Sequence, residues 1–145
     1  KIPIYGDGKQ VRDWIHVQDH VDALITIYNS PKNNSGEIYN IGSETELTNI
    51  DLVSKICTIC DDIFPNENGS YFDLISFVED RPGHDIRYAL SNKKIKKELG
   101  WNPKVSFDIG ILDTINWYVE NSSTFFSEKK AIYDGSRIGM PERIK

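Results

Sequence analysis

Pro82-Gly83 separates two short apolar runs, Leu74-Ile75-Ser76-Phe77-Val78 before it and Ile86-Arg87-Tyr88-Ala89-Leu90 after it. Proline fixes φ and lacks an N–H, and glycine tolerates φ > 0, so no regular element runs through the pair and the chain must fold sharply there. The segment between the runs carries Asp80, Arg81, His84 and Asp85, and a tight turn places Arg81 near His84. Arg81 and Arg87 with an imidazole on one loop suit an anion, because guanidinium forks match phosphate oxygens in pairs. The same residues also describe a solvated turn in which Asp80 and Asp85 neutralise both arginines.

Around this turn, strand-like and helix-like stretches alternate. Lys1 to Tyr5 reads as a strand closed by Gly6-Asp7-Gly8. From Val11 to Val17 the alternation puts Val11, Asp13, Ile15 and Val17 on one face and Arg12, Trp14 and His16 on the other. Asp13 on the apolar face requires a partner if buried. Asp19 is placed at the start of a helix in which Val21, Leu24, Ile25 and Tyr28 recur at helical spacing. Pro31 and Lys32-Asn33-Asn34-Ser35-Gly36 end it in a loop. Glu37 to Ile41 reads as a further strand stopped by Gly42.

Thr48 or Asn49 caps the next helix, whose Leu52, Val53, Ile56, Ile59, Cys60 and Ile63 face inward, with Pro65 beyond its end. Ser91 is expected to cap a short helix through Leu99, with a lysine-rich outer face and Gly100 as its stop. Ser106 caps the last clear helix, and the pattern fades after Asn121. Alternating strands and helices give the class α/β. Residues 1–121 are expected to form one functional portion and 122–145 a tail or linker.

A length of 145 residues with 39% hydrophobic and 27% charged residues suits one soluble domain with a real core. A net charge of -5 argues against a general nucleic-acid binder. No apolar run approaches the ~20 residues that span a bilayer, and no signal-peptide pattern follows Lys1. The expected setting is therefore cytoplasmic, with no membrane and no nucleic-acid partner. Cys57-Thr58-Ile59-Cys60 sits mid-helix, without a second ligand pair at zinc spacing, and reads as structural thiols with no metal.

Asp80-Arg81-Pro82-Gly83-His84-Asp85-Ile86-Arg87-Tyr88 closely resembles a signature of the nucleotide-sugar 4,6-dehydratases, the dTDP-glucose 4,6-dehydratase branch of the extended short-chain dehydrogenase/reductases. In the same order, the chain also resembles that family at Pro3 to Trp14, at Tyr39-Asn40-Ile41-Gly42 and at Glu98-Leu99-Gly100-Trp101-Asn102-Pro103. The resemblance covers Lys1 to about Asn121 and implies the carboxy-terminal portion of such an enzyme: part of the Rossmann-type sheet plus the small substrate-binding domain. It implies a lyase in the parent protein, expected to be a homodimer. That lyase converts dTDP-glucose or UDP-glucose to the 4-keto-6-deoxy sugar, with NAD taking the C4 hydride and returning it at C6.

The resemblance further implies that Pro3, Ile4 and Tyr5 line the nucleotide pocket and that Arg12 and Asn49 hold the diphosphate. Asp80, Arg81, Pro82, Gly83 and His84 would close over the nucleotide. Asn49 at a helix start and Tyr5 in a strand read equally as a plain cap and as core packing. The NAD turn and the catalytic residues are not expected within this chain. Gly6-Asp7-Gly8 precedes no helix, Tyr5 to Lys9 spans a turn, and Tyr28 to Lys32 contains Pro31, so neither spelling of Tyr-x-x-x-Lys is a helical pair. On its own the chain is expected not to turn over substrate. The competing readings are a catalytically silent interaction module of the same fold and a fragment of a nucleotide-sugar epimerase.

Overall fold

β-branched and aromatic residues on either side of a glycine-bounded turn give the first two strands, β1 (Ile2–Tyr5) and β2 (Val11–Asp13). Helix α1 (Val17–Tyr28), strand β3 (Glu46–Thr48) and helix α2 (Asn49–Ile63) follow. Next come β4 (Ile75–Val78), β5 (Arg87–Tyr88), α3 (Lys93–Leu99) and α4 (Phe107–Glu120). The computed structural model describes residues 1–31 and 36–122, so most of the loop expected after Pro31 and all but Ser122 of the expected tail lie outside the described residues. The chain divides into two units, Lys1–Leu112 and Asp113–Lys145. In the second, Trp117 and Tyr118 meet edge to face with centroids 5.2 Å apart, and the Asn121 backbone and side-chain N–H groups both donate to the Trp117 carbonyl.

Two small sheets organise the first unit. β1 pairs in parallel with β4, in register from Ile2 opposite Ile75 to Tyr5 opposite Val78. In the other sheet β2 lies between β3, antiparallel to it, and β5, parallel to it. The chain therefore crosses from the first sheet to the second twice, from β1 to β2 and from β4 to β5, and returns once between β3 and β4. The crossings run side by side: Gly6 N–H donates to the Val78 carbonyl at 3.0 Å and Val11 N–H to the Ile86 carbonyl at 2.8 Å.

The core of this unit is Ala23, Ile95 and Trp101, with Ile15, Ile27, Tyr39, Ile41 and Leu99 packed against it. Several local expectations change. The Val11-to-Val17 strand ends at Asp13, and α1 starts at Val17 with His16 as its cap. Asp19, placed at the helix start by its sequence context, is instead buried to 2% exposure and accepts the backbone N–H groups of Lys104 and Val105, both at 3.0 Å. Two charge-assisted bonds to a distant segment outweigh a local cap. Asp13 finds partners through one carboxylate oxygen, Oδ1, which accepts the Ser43 and Thr45 N–H groups and the Ser43 hydroxyl, while its Oδ2 is buried without a hydrogen-bond partner.

Glu37 to Ile41 keeps its alternation, with Tyr39 and Ile41 against the core and Ile38 exposed. It forms no strand because no neighbour among the described residues supplies a ladder. Asn92, not Ser91, stands at the cap position of α3 and makes no side-chain capping bond, while Gly100 ends the helix as expected. Both cysteines are free, and burial, the largest cause, pushes both thiols above their ordinary pKa, which suits structural rather than reactive thiols.

Candidate functional site

The two crossings and the start of α2 meet at one place. The first helical N–H groups of α2 are already taken: Asn49 N–H donates to the Gln10 carbonyl and Ile50 N–H to the Gly8 carbonyl, each at 3.0 Å. Asp51 N–H goes to the Thr48 hydroxyl at 3.1 Å, so Thr48 is the cap and Asn49 the first helical residue. The helix start was expected to offer orphan donors to an anion. The turn before β2 uses those donors, which leaves the Asn49 side chain as its means of contact. Two glycines make this turn fit. Gly8 has φ +73, and a Cβ there would lie 2.8 Å from the Ile4 side chain. Gly6 has φ +60, and a Cβ there would lie 2.9 Å from an Asp80 carboxylate oxygen.

Asp80 is the hub of the second crossing. Its Oδ1 accepts the Arg81 N–H at 2.9 Å and faces His84 Nδ1 at 2.7 Å, while Oδ2 accepts the Gln10 side-chain N–H at 3.1 Å. The His84 hydrogen bond, followed among the lowering causes by the Arg81 N–H, holds the Asp80 carboxyl below its ordinary 3.8. The His84 side chain is only 5% exposed and meets Tyr5 edge-on, with ring centroids 6.3 Å apart. The turn itself closes through His84 N–H to the Arg81 carbonyl at 3.3 Å, with Gly83 at φ +68 and Pro82 and Gly83 exposed.

Arg12 stands opposite Tyr88 across the β2–β5 pairing. Its guanidinium carbon lies 4.8 Å from the Tyr88 ring centroid, and its terminal nitrogens donate to the Val11 carbonyl at 2.6 Å and the Asp85 carbonyl at 3.1 Å. The Tyr88 hydroxyl donates to the Asp85 carboxylate, which pushes the phenol pKa up, while the nearby charges of Arg12 and Arg81 oppose that rise. Arg87 is engaged elsewhere, in a two-point fork to Glu46 with both contacts at 2.6 Å. Among the described residues neither Asp80 nor Asp85 forms an ion pair with Arg81 or Arg87. The solvated-turn alternative, with both acids spent on the arginines, is not the arrangement found.

Of the residues singled out by sequence, the structure brings Tyr5, Asp80 and His84 into one cluster and sets Arg12 against the Tyr88 ring, whose phenol also feels the Arg81 charge. Pro3 is exposed on β1, and Ile4 is buried to 4% exposure beneath the glycine turn. Two neighbours went unassigned. Gln10, 8% exposed, ties the first crossing to Asp80, and Tyr88 carries Arg12. Only the side-by-side crossing reveals Gln10, since 70 residues separate it from its partner. Tyr88 was visible within the signature but had no legible role.

Among the described residues, the Gly6-Asp7-Gly8 turn does not fit a dinucleotide. Gly6 and Gly8 lead into β2 rather than into a helix, and the Gly8 carbonyl and its Cα face are filled by Ile50 and Ile4. Tyr5 and Lys9 flank a turn in which Lys9 pairs with Asp7, and the Lys32 of the other spelling lies outside the described residues. Among the described residues no helix is long and apolar enough to cross a membrane.

The sequence profile of the family described as GDP-mannose 4,6 dehydratase matches residues 1–114. A probable dTDP-glucose 4,6-dehydratase of Sinorhizobium fredii is 44% identical over 142 residues, covering 98% of this chain and 40% of that protein. An Escherichia coli dTDP-glucose 4,6-dehydratase is 43% identical over 144 residues, covering 97% of this chain and 39% of its own. The chain thus spans about 40% of the length of these curated relatives. Among solved structures, a Streptomyces venezuelae dTDP-glucose 4,6-dehydratase with NAD bound superposes with a TM-score of 0.73 at 38% identity, covering 86% of this chain and 35% of that one. A UDP-glucose 4-epimerase from Thermotoga maritima with UDP-glucose superposes with a TM-score of 0.70 at 28% identity, covering 84% of this chain and 36% of that one.

Proposed function

The chain belongs to the GDP-mannose 4,6 dehydratase family, and on that footing we propose that it is the nucleotide-sugar-binding portion of an NAD-dependent 4,6-dehydratase. The parent enzyme would be a cytoplasmic homodimeric lyase acting on dTDP-glucose or UDP-glucose, with its NAD site and its acid–base residues contributed from outside this chain. The observation that carries the reading is the Arg12 guanidinium, held 4.8 Å over the Tyr88 ring and 3.1 Å from the Asp85 carbonyl, at the foot of the loop that carries Arg81. A guanidinium held in this way suits a diphosphate oxygen.

In this reading Arg12 and the Asn49 side chain hold the diphosphate. Asp80, Arg81, Pro82, Gly83 and His84 form a flap over the nucleotide, kept in shape by the Asp80 hub. Tyr5, held edge-on by His84, presents its ring to the base, and Pro3 flanks it on the exposed side of β1. Ile4 acts through the backbone of its strand, because its side chain is buried under Gly8. The chemistry this chain supplies is binding and orientation, and no proton or hydride step is assigned to it.

Calorimetric titration of the chain with dTDP and with UDP tests the reading. Saturable binding that Arg12→Ala weakens supports it, and a folded sample that takes up neither diphosphate overturns it. The likeness to a UDP-glucose 4-epimerase favours a second reading, an epimerase of the same family. Joined to its catalytic portion, a 4,6-dehydratase accumulates a 4-keto-6-deoxy sugar, whereas an epimerase only inverts C4.

A further inference from the structure

A guanidinium on a three-residue strand has many rotamers, and something must hold it where a ligand needs it. For Arg12 the support is visible. The β2–β5 register sets Tyr88 directly across from it, the ring lies under the guanidinium at 4.8 Å, and the Asp85 carbonyl takes one terminal N–H at 3.1 Å. Asp85 also fixes the ring, since its carboxylate accepts the Tyr88 hydroxyl. One residue thus restrains both the cation and the surface on which the cation rests. A guanidinium has five N–H donors, and among the described residues those of Arg12 reach only the Val11 and Asp85 carbonyls, so donors remain for a ligand. Tyr88 is 57% exposed and contributes nothing to the buried core, so core packing does not account for it.

We propose that Tyr88 is a positioning residue for the diphosphate: its ring, braced by Asp85, holds the Arg12 guanidinium with its open donors presented to the phosphate oxygens. This rests on the proposed nucleotide-sugar site and adds to it a residue that touches no ligand. Ring removal should act only through Arg12. The ring face supplies the attraction, so phenylalanine should largely replace tyrosine, the hydroxyl serving to set the ring's angle.

The experiment titrates dTDP into the full chain as wild type, Tyr88→Phe, Tyr88→Leu, Arg12→Ala and the Arg12→Ala/Tyr88→Leu double variant. In parallel, NMR records the ring-current shift of the Arg12 δ-protons without ligand. Tyr88→Leu is expected to weaken dTDP about two- to five-fold, the scale of an exposed cation–π contact. Tyr88→Phe should stay near wild type, and in the Arg12→Ala background Tyr88→Leu should change nothing further. The upfield shift of the Arg12 protons should persist in Tyr88→Phe and vanish in Tyr88→Leu. Equal weakening with and without Arg12, no weakening at all, or no ring-current shift in the wild type overturns the inference and leaves the binding site standing. A folded wild type that binds neither dTDP nor UDP overturns both. Should Tyr88→Leu fail to fold, Tyr88→Phe and the wild-type proton shifts decide.

Discussion

Asp80 accepts from three groups that the sequence keeps apart or ambiguous, namely the Gln10 amide, the Arg81 N–H and the His84 ring. Its depressed pKa gives the sign of a pH effect. A carboxylate that titrates lower in the folded chain adds stability that is complete above its ordinary 3.8 and is lost as pH falls through the lower folded value. Carboxyl-carbon NMR should show Asp80 still ionised at a pH where a free aspartate is half protonated. The flap should loosen only below that point, and Asp80→Asn should abolish the step. Gly6→Ala is a sharper local test. It forces an L side chain to φ +60 and drives a methyl to within 2.9 Å of the Asp80 carboxylate, so both the turn and the flap must shift. A loss of about 1 kcal/mol or more is expected in denaturant melts. The sequence disclosed Asp80, Arg81 and His84 because a Pro-Gly turn concentrates charge beside itself. Gln10 was silent, since a polar residue after a glycine turn looks solvated until a strand 70 residues away arrives beside it.

Helices were the readable elements, because their apolar period and caps are local. Thr48, with its hydroxyl on the Asp51 N–H, is such a cap, and Thr48→Ala should cost about 1 kcal/mol in thermal unfolding. Strand ends were less readable, since a strand extends only as far as a neighbour pairs with it. Val11 to Val17 alternates throughout, yet β3 and β5 accompany it no further than Asp13, and Glu37 to Ile41 alternates yet joins neither sheet among the described residues. Asp19 shows the same limit on a helix: the residues that claim its carboxylate lie 85 and 86 positions downstream. Asp19→Ala removes the partner of two backbone N–H groups, at exposed Lys104 and half-buried Val105. It should lower stability by roughly 1–3 kcal/mol, and Asp19→Asn should recover part of that in the same melt. The spacing of Val21, Leu24, Ile25 and Tyr28 was legible too, but not its direction: α1 buries Asp19 and Ala23, while that apolar row, with Val17, stays largely exposed.

Across the whole molecule, that exposed row is the feature most apt to govern handling. Sedimentation velocity of the isolated chain should show association that grows with concentration, and Leu24→Lys on α1 should reduce it while leaving the far-ultraviolet spectrum unchanged. Persistent association in that variant would place the sticky surface elsewhere. The arrangement of the candidate site belongs to this scale as well, since it depends on two chain crossings lying together rather than on any one motif. The parallel pairing of β1 with β4 has a consequence for birth order. Ile2 waits for Ile75, and Tyr5 for Val78, before either has a ladder to join. On a ribosome β1 therefore emerges long before β4 is translated. During that interval the first strand is open to proteases and chaperones, and it locks in only when the Pro-Gly bend clears the exit tunnel.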